Sequence, residues 1–292
     1  MARESLRTAV VAATRRLTEA GVSSPGVDAE ILAAHVLGVG RTTLWLHPLV
    51  DTDVVERIDA LIARRAERIP LQHLLGTAAL GAVRVQVGPG VFIPRPETEA
   101  LLEWSVKAIA DVPRPVVVYL CTGSGAIALA VAMARPDAQV YGVERSPAAL
   151  AWARRNAEWH SEQGGTAITL RGGDINDPRL LADLDGTVDL VTANPPYVPD
   201  GTAVEPEVSD HDPAEAVFAG PDGLSVIRPL INVAAGLLKP GGVLAIEHDD
   251  THGETVPDLL ARRRVLADVA DHLDLAGRPR FVTARRVRLP AA

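Results

Sequence analysis

The chain has 292 residues, 47% of them apolar and 23% charged, the balance of an ordinary globular protein long enough for one large domain and one small one. Its 29 basic against 37 acidic residues give a net charge of −8, the opposite of the basic balance common in nucleic-acid binders. Cys121 is the single cysteine, which excludes an internal disulfide; no apolar run reaches the ~18 residues of a membrane span, and Arg3, Arg7, Arg15 and Arg16 break up the first apolar stretch, so a cytoplasmic protein without a signal peptide is expected.

Residues 4–20 set Leu6, Val10, Ala13 and Leu17 on one helical face. Residues 28–38 do the same with Ile31, Leu32 and His35 behind Asp28 as cap, and 51–68 with Val54, Val55, Ile58, Leu61 and Ile62 behind Asp51. Three or four short helices predict a small amino-terminal bundle, in which Trp45 and His47 read as core and surface filler rather than ligands. The period then changes. Val83, Val85 and Val87 alternate with Arg84 and Gln86, which predicts half of a hairpin closed around Gly88-Pro89-Gly90. The segment Phe92-Ile93-Pro94-Arg95-Pro96-Glu97-Thr98-Glu99 leaves it, stiffened by its prolines, with Thr98 or Glu97 capping a helix that runs to about Ile109.

From Pro115 onward strands and helices alternate. Strands are expected at 116–120, 139–143, 167–171, 188–193 and 243–247, and helices at about 125–135, 147–159 and 223–238. This alternation predicts an α/β domain with a parallel sheet covered on both faces, closed by an antiparallel-looking pair at 265–271 and 280–286. The expected division is a helical domain over 1–76, a hairpin connector over 77–96, and a ligand-binding α/β domain over 97–292.

In open α/β sheets ligands sit outside the carboxyl ends of the strands, and four strand ends here carry convergent chemistry. The first gives Cys121-Thr122-Gly123-Ser124-Gly125, a turn that allows close backbone approach and opens into a helix whose free N–H groups suit a carboxylate or phosphate. A dinucleotide fingerprint would place its third glycine at 128, where Ala128 satisfies only the looser form, so the loop alone leaves a nicotinamide coenzyme open. The second strand ends at Glu144, about 20 residues on, where an acid can take both hydroxyls of a ribose. The third ends near Asp174, which can accept from an exocyclic amine. The fourth delivers Asn194-Pro195-Pro196-Tyr197. The Asn194 amide offers one acceptor and two donors, Pro195 and Pro196 stiffen the backbone and leave the Pro195 carbonyl free, and Tyr197 supplies a flat face. Such a slot orients a weakly nucleophilic planar nitrogen. The set as a whole describes a nucleoside with an amino-acid-like tail, S-adenosylmethionine.

The chain resembles the peptide chain release factor glutamine N(5)-methyltransferases, the PrmC/HemK family, over nearly its whole length. The resemblance rests on Pro70-Leu71-Gln72-His73-Leu74-Leu75-Gly76, on Pro94-Arg95-Pro96-Glu97-Thr98-Glu99, on Thr122-Gly123-Ser124-Gly125, on Asn194-Pro195-Pro196-Tyr197, and on Ala276-Gly277-Arg278-Pro279-Arg280-Phe281. It implies a seven-stranded Rossmann-like class I methyltransferase domain with a small amino-terminal helical bundle that helps receive the release factor. It also implies methyl transfer to the glutamine of a Gly-Gly-Gln motif. By position, Asn194, Pro195, Pro196 and Tyr197 would be catalytic, with Thr122, Gly123, Ser124, Gly125, Glu144, Asp174 and Asn194 on the cofactor. Phe92, Arg95, Glu97, Asn194, Pro195 and Tyr197 would meet the substrate. No metal or general base is implied.

Two positions depart from the family. An Asp usual at the end of the first strand is Tyr119, so tighter cofactor binding is expected of a Tyr119→Asp variant. Before Pro213 stands Asp212 where Glu is commoner. The rivals are a DNA amino-methyltransferase, a cofactor-impaired homologue and a nicotinamide oxidoreductase. Against DNA stands the stretch 198–222, with Asp200, Glu205, Glu207, Asp210, Asp212, Glu215 and Asp222 and no Lys or Arg. His248 and His252 with Asp249 and Asp250 read as a strand-end loop, and Cys121 as a small loop residue rather than a nucleophile.

Overall fold

The computed structural model describes residues 2–288, and the chain divides into two units. The smaller runs to Thr77 and takes in Glu205–His211; the larger comprises Ala78–Val204 and the described chain from Asp212 onward.

In the smaller unit, β1 (Arg3–Ser5) leads into α1 (Leu6–Glu19), then α2 (Pro25–Leu37), β2 (Leu49–Asp51), α3 (Thr52–Ala66) and α4 (Leu71–Leu75). The short strands β1 and β2 pair antiparallel, so the starts of α1 and α3 are pinned together. Ser5 caps α1, accepting from the Thr8 N–H at 3.3 Å, and Leu6, Val10, Ala13 and Leu17 form its buried face as their spacing predicts. Helix α2 begins with Pro25 in its first turn, three residues ahead of the expected start. Asp28 is therefore a buried first-turn residue and not the cap. Ala29, Leu32 and Ala33 face the core, while His35 is exposed and Ile31 half-buried. Trp45 sits near the surface with the Arg7 guanidinium 5.3 Å over its ring.

Inside the helix Asp28 pairs with Arg65. Its buried guanidinium binds Asp28 Oδ2 at 2.8 Å and Glu207 Oε1 at 2.7 Å, and donates to the Ile69 carbonyl at 3.2 Å. Arg68 adds bonds to Glu207 Oε1 at 2.8 Å and Glu205 Oε2 at 2.8 Å. Burial alone would raise the Glu207 carboxyl, but the Arg68 and Arg65 guanidiniums overcome it and hold the group down to about 2. A depressed carboxyl contributes stability that is present above its unfolded value of 4.5 and lost as pH falls through about 2.

In the larger unit, β3 (Thr77–Leu80) and β4 (Val83–Gln86) form a two-stranded sheet turned at Gly81-Ala82. The expected turn at Gly88-Pro89-Gly90 is not one: Gly81, at φ +54°, supplies the two-residue hairpin loop, and the later glycines carry the chain onward. After a 3-10 turn at Pro96–Thr98 comes α5 (Glu99–Ala108), without a side-chain cap. Seven strands follow: β5 (Val116–Leu120), β6 (Gln139–Glu144), β7 (Thr169–Gly172), β8 (Val188–Ala193), β9 (Leu238–Glu247), β10 (Leu266–Leu273) and β11 (Pro279–Arg286).

These make one sheet of order β10-β11-β9-β8-β5-β6-β7. The first five strands are mutually parallel, while β11 is antiparallel to both β9 and β10, as the alternation predicts. Helix α6 (Ala126–Ala134) is buried from Ala126 through Ala132, which explains its wholly apolar sequence. It packs with α5 and the hairpin on one face; α7 (Pro147–Glu162) contributes Ala149 to the same core. The chain passes α8 (Pro206–Ser209), counted in the smaller unit, and α9 (Ala214–Val217). Helices α10 (Ile227–Leu237) and α11 (Thr255–Ala261) cover the other face. All six residues of β8 are buried, as a strand covered on both sides requires. Among the described residues no helix is long and apolar enough to cross a membrane.

Removing one partner of a buried ion network leaves the other charges uncompensated. Arg65→Ala should therefore destabilise the smaller unit by roughly 3–5 kcal/mol in a denaturant titration. A loss under about 1 kcal/mol would mean that water serves Asp28 and Glu207 equally well.

Candidate active site

Strand order reverses between β5 and β8, and a cavity opens there at the carboxyl ends of the strands. Leu120 and Ala193 are register partners, so the glycine loop and Asn194 leave the sheet side by side. The cavity is lined by Thr122, Gly123, Ser124, Glu144, Asp174, Asn194, Pro196 and Phe92 among others. Gly125, Pro195, Tyr197, Arg95 and Glu97, which the sequence also nominates, do not line it.

The loop is held by its own backbone. Thr122 N–H donates to the Val143 carbonyl and Gly125 N–H to the Thr122 carbonyl, both at 2.8 Å. Glu144 accepts from Gly123 N–H on Oε2 and from Ser146 N–H on Oε1, each at 2.8 Å, so its carboxylate is oriented before any ligand arrives. Asp174 is fixed by the Asn176 backbone and side-chain N–H groups, both 2.8 Å from Oδ1. Asn156 on α7, wholly buried, accepts from Gln86 N–H at 2.7 Å and donates to the carbonyls of Gln86 at 3.0 Å and Ser124 at 2.9 Å. It thereby clamps the hairpin end to the glycine loop. The Thr122 hydroxyl is buried against Gly142 of β6 and has no hydrogen-bond partner among the described residues, so Thr122 borders the cavity without presenting its hydroxyl to it.

Burial, with Glu144 close by, pushes the Cys121 thiol up to about 12, so at neutral pH it is a packed thiol and not a nucleophile. Tyr119 is 3% exposed, and burial first, then the Glu247 charge, raises its phenol well above the ordinary value. Its hydroxyl receives the Asn194 backbone N–H. The amides that an acid at 119 would serve are already served by Glu144 and by carbonyls. Tyr119→Asp would also add a buried carboxylate near Glu144 and Glu247, so the gain in cofactor affinity expected from sequence has no support in the geometry.

The tetrad is braced from behind. Asn194 Nδ2 donates to the buried Thr98 hydroxyl at 3.2 Å, so Thr98 serves the site instead of capping α5. Tyr197 donates its hydroxyl to Glu247 Oε1 at 3.0 Å and is partly buried against the core under α10, so its hydroxyl is tied inward, away from the cavity that Phe92 walls. Gly223, expected in a helix, stands before α10 at φ +70°, where a Cβ would come 2.3 Å from the Tyr197 carbonyl oxygen. Arg95 binds the buried Asp212 carboxylate and lies 5.0 Å over the Phe92 ring, so it orders the Phe92 segment. His248 is held between Asp271 Oδ1 at 2.8 Å and the Asp249 carbonyl at 2.9 Å, and His252 meets the Asp222 carbonyl at 3.0 Å.

Much of the acidic stretch after the tetrad is neutralised internally. Glu205 and Glu207 pair with Arg68, Asp212 with Arg95, and Asp222 with Arg228, so the charge it offers to solvent is smaller than its composition suggests. The residues that sequence reasoning missed are Thr98 as a hydroxyl of the site, Asn156 and Glu247. For Glu247 a signal existed: it is an acid at the carboxyl end of an apolar strand, the pattern that identified Glu144.

A family model described as PrmC N-terminal domain matches residues 8–76, and one described as Methyltransferase domain matches residues 116–275. The release factor glutamine methyltransferase of Mycolicibacterium smegmatis is 53% identical, the match covering 97% of this chain and 98% of the relative. Those of Mycobacterium leprae and Streptomyces coelicolor are each 50% identical, over 96% and 95% of this chain and 96% of each relative.

Gly223→Ala should cost about 1–3 kcal/mol through its left-handed backbone and displace the tetrad through the clash with Tyr197. A lowered melting temperature together with lost activity is the expected result; an unchanged melting temperature would show that the loop gives way freely.

Proposed function

The chain belongs to the release factor glutamine methyltransferase family, and on that premise we propose that it transfers a methyl group from S-adenosylmethionine to the side-chain amide nitrogen of the glutamine in the Gly-Gly-Gln motif of peptide chain release factors. The observation that carries this reading is the shared cavity: Glu144, Asp174, the glycine loop and Asn194 line one space at the switch point of a methyltransferase sheet. The residues present fit the cofactor. The pre-oriented Glu144 carboxylate would take the ribose hydroxyls, Asp174 the adenine amino edge, and the backbone of Gly123 and Ser124 the amino-acid tail.

When bound, the cofactor would supply a methyl carbon on a sulfonium; as the carbon–nitrogen bond forms the carbon–sulfur bond breaks with its electron pair staying on sulfur, and the methylated nitrogen sheds one of its two hydrogens as a proton to solvent water. The chain's part is positional. Asn194, which lines the cavity, accepts one amide hydrogen on Oδ1; the resemblance assigns the other to the Pro195 carbonyl, although Pro195 does not line the cavity here, and the two acceptors would fix the nitrogen and keep its electron density towards the methyl. Pro195 and Pro196 hold that acceptor pair stiff, Tyr197 anchors the tetrad, and Phe92 walls the slot. Alignment of this kind can supply up to ~7–11 kcal/mol of the barrier, so no metal or general base is required. The helical unit over 1–76 helps receive the release factor, and the reaction is cytoplasmic, where that substrate is found. Nucleic acid is not the substrate in this reading.

Mass spectrometry of a release factor incubated with the enzyme and S-adenosylmethionine should show one added methyl, absent when the Gly-Gly-Gln glutamine is replaced by Ala. Asn194→Ala should lower kcat by roughly 10²-fold or more, since it removes an acceptor that aligns the nitrogen. Methylation surviving the Ala control, or DNA retention that falls with salt and is accompanied by base methylation, would overturn the assignment.

A further inference from the structure

We propose that Glu247 is a positioning residue for the reaction: its buried carboxylate sets, through the Thr98 hydroxyl, which end of the Asn194 amide faces the substrate, and through the Tyr197 hydroxyl it anchors the tetrad. The proposal deepens the methyl-transfer reading and rests on it for the role of Asn194.

A hydroxyl has one hydrogen. Thr98 Oγ1 accepts from Asn194 Nδ2 at 3.2 Å, so its own hydrogen must point elsewhere. The neighbouring acceptor is Glu247, 1% exposed at the end of β9, whose carboxyl is biased towards its ionised form by the Thr98 and Tyr197 hydroxyls. Its Oε1 takes the Tyr197 hydroxyl at 3.0 Å, and Oε2 is buried with no hydrogen-bond partner, which leaves it the open acceptor for the Thr98 hydrogen. An ionised carboxylate can only accept. Both hydroxyls then point at it, the Thr98 lone pairs face Asn194 Nδ2, and Asn194 Oδ1 is left as the acceptor that a substrate amide needs. A protonated Glu247 can donate to Thr98, which frees the Thr98 hydrogen for Asn194 Oδ1. The amide is then stable in the flipped orientation and presents N–H groups to N–H groups.

The groups that face Glu247 come from four places. Tyr197 and Arg280 favour its ionised form, Glu97 opposes it, and Tyr119 from β5 feels its charge. Burial is the largest influence and raises the carboxyl to about 7 despite the hydroxyl donors. The switch between the two hydrogen-bond directions therefore falls near neutral pH.

Glu247 does not line the cavity, so cofactor affinity serves as the control. The experiment measures kcat for glutamine methylation from pH 5.5 to 8.5 in the wild type, Glu247→Gln, Thr98→Val and Thr98→Ser, with S-adenosylmethionine binding by calorimetry. Wild-type kcat should fall below a midpoint near 7 and level off roughly tenfold lower at acid pH, the form expected of one ionised group whose neutral form keeps residual activity. Glu247→Gln should lose that step and roughly tenfold in kcat, since a neutral amide no longer forces the direction of the relay, with cofactor affinity and melting temperature kept. Thr98→Val should lose the step, Thr98→Ser should keep it, and the Glu247→Gln/Thr98→Val pair should be no worse than Thr98→Val alone. Wild-type kcat and pH profile in Glu247→Gln, or additive losses in the pair, would overturn the proposal. If the wild type transfers no methyl, the functional reading fails, and the ¹⁵N resonance of the Asn194 side-chain amide decides the relay by itself. Titration near pH 7 in the wild type but not in Glu247→Gln supports it, and no titration refutes it.

Discussion

The parallel pairing of β5 with β8 is the constraint on which the site depends. Val117 through Leu120 register against Leu190 through Ala193, and every side chain of β8 is buried, so the pair cannot slip without turning core residues to the wrong face. Because the register is fixed, the glycine loop and the Asn194 tetrad emerge next to each other at the point where the sheet reverses its order. β6 and β9, the outer neighbours of this pair, then bring Glu144 and Glu247 to the same end.

Around that pair the site is organised by finding a partner for nearly every polar group. Glu144 is held by two amides, Asp174 by Asn176, Asn194 by Thr98, and Tyr197 by Glu247. Each of these bonds fixes a rotamer at the carboxyl end of the sheet, so the side chains around the cavity are ordered by the fold itself. The smaller unit uses the same economy: Arg65 joins Asp28, Glu207 and the Ile69 carbonyl, three segments distant in sequence.

Sequence periodicity was enough to locate α1, α6, α7 and the strands β5, β6, β8 and β11, because burial on both faces of a sheet leaves unbroken apolar runs and burial on one helical face leaves a 3.6-residue pattern. It misplaced the hairpin turn, since Gly88-Pro89-Gly90 looks more turn-like than Gly81-Ala82, although the pairing of β3 with β4 selects the latter. It gave Asp28, and either Thr98 or Glu97, to helix caps because caps are local. Arg65 lies 37 residues from Asp28, and Asn194 lies 96 residues from Thr98, and no local pattern carries such distances.

By itself, then, the order of residues determined the α/β architecture, the position of Glu144, Asp174 and Asn194 at strand ends, and the likeness to a methyltransferase family, since each is written in short-range spacing and residue type. Tertiary structure alone decided that Tyr197 turns its hydroxyl to Glu247, that Arg95 serves Asp212, and that Glu144 takes the Gly123 amide of the loop. Those outcomes follow from which strand ends and loops become neighbours when the sheet forms. The physical reason is that hydrogen bonds between segments far apart in the chain are chosen by packing, where each buried donor must find whatever acceptor the fold has brought within reach.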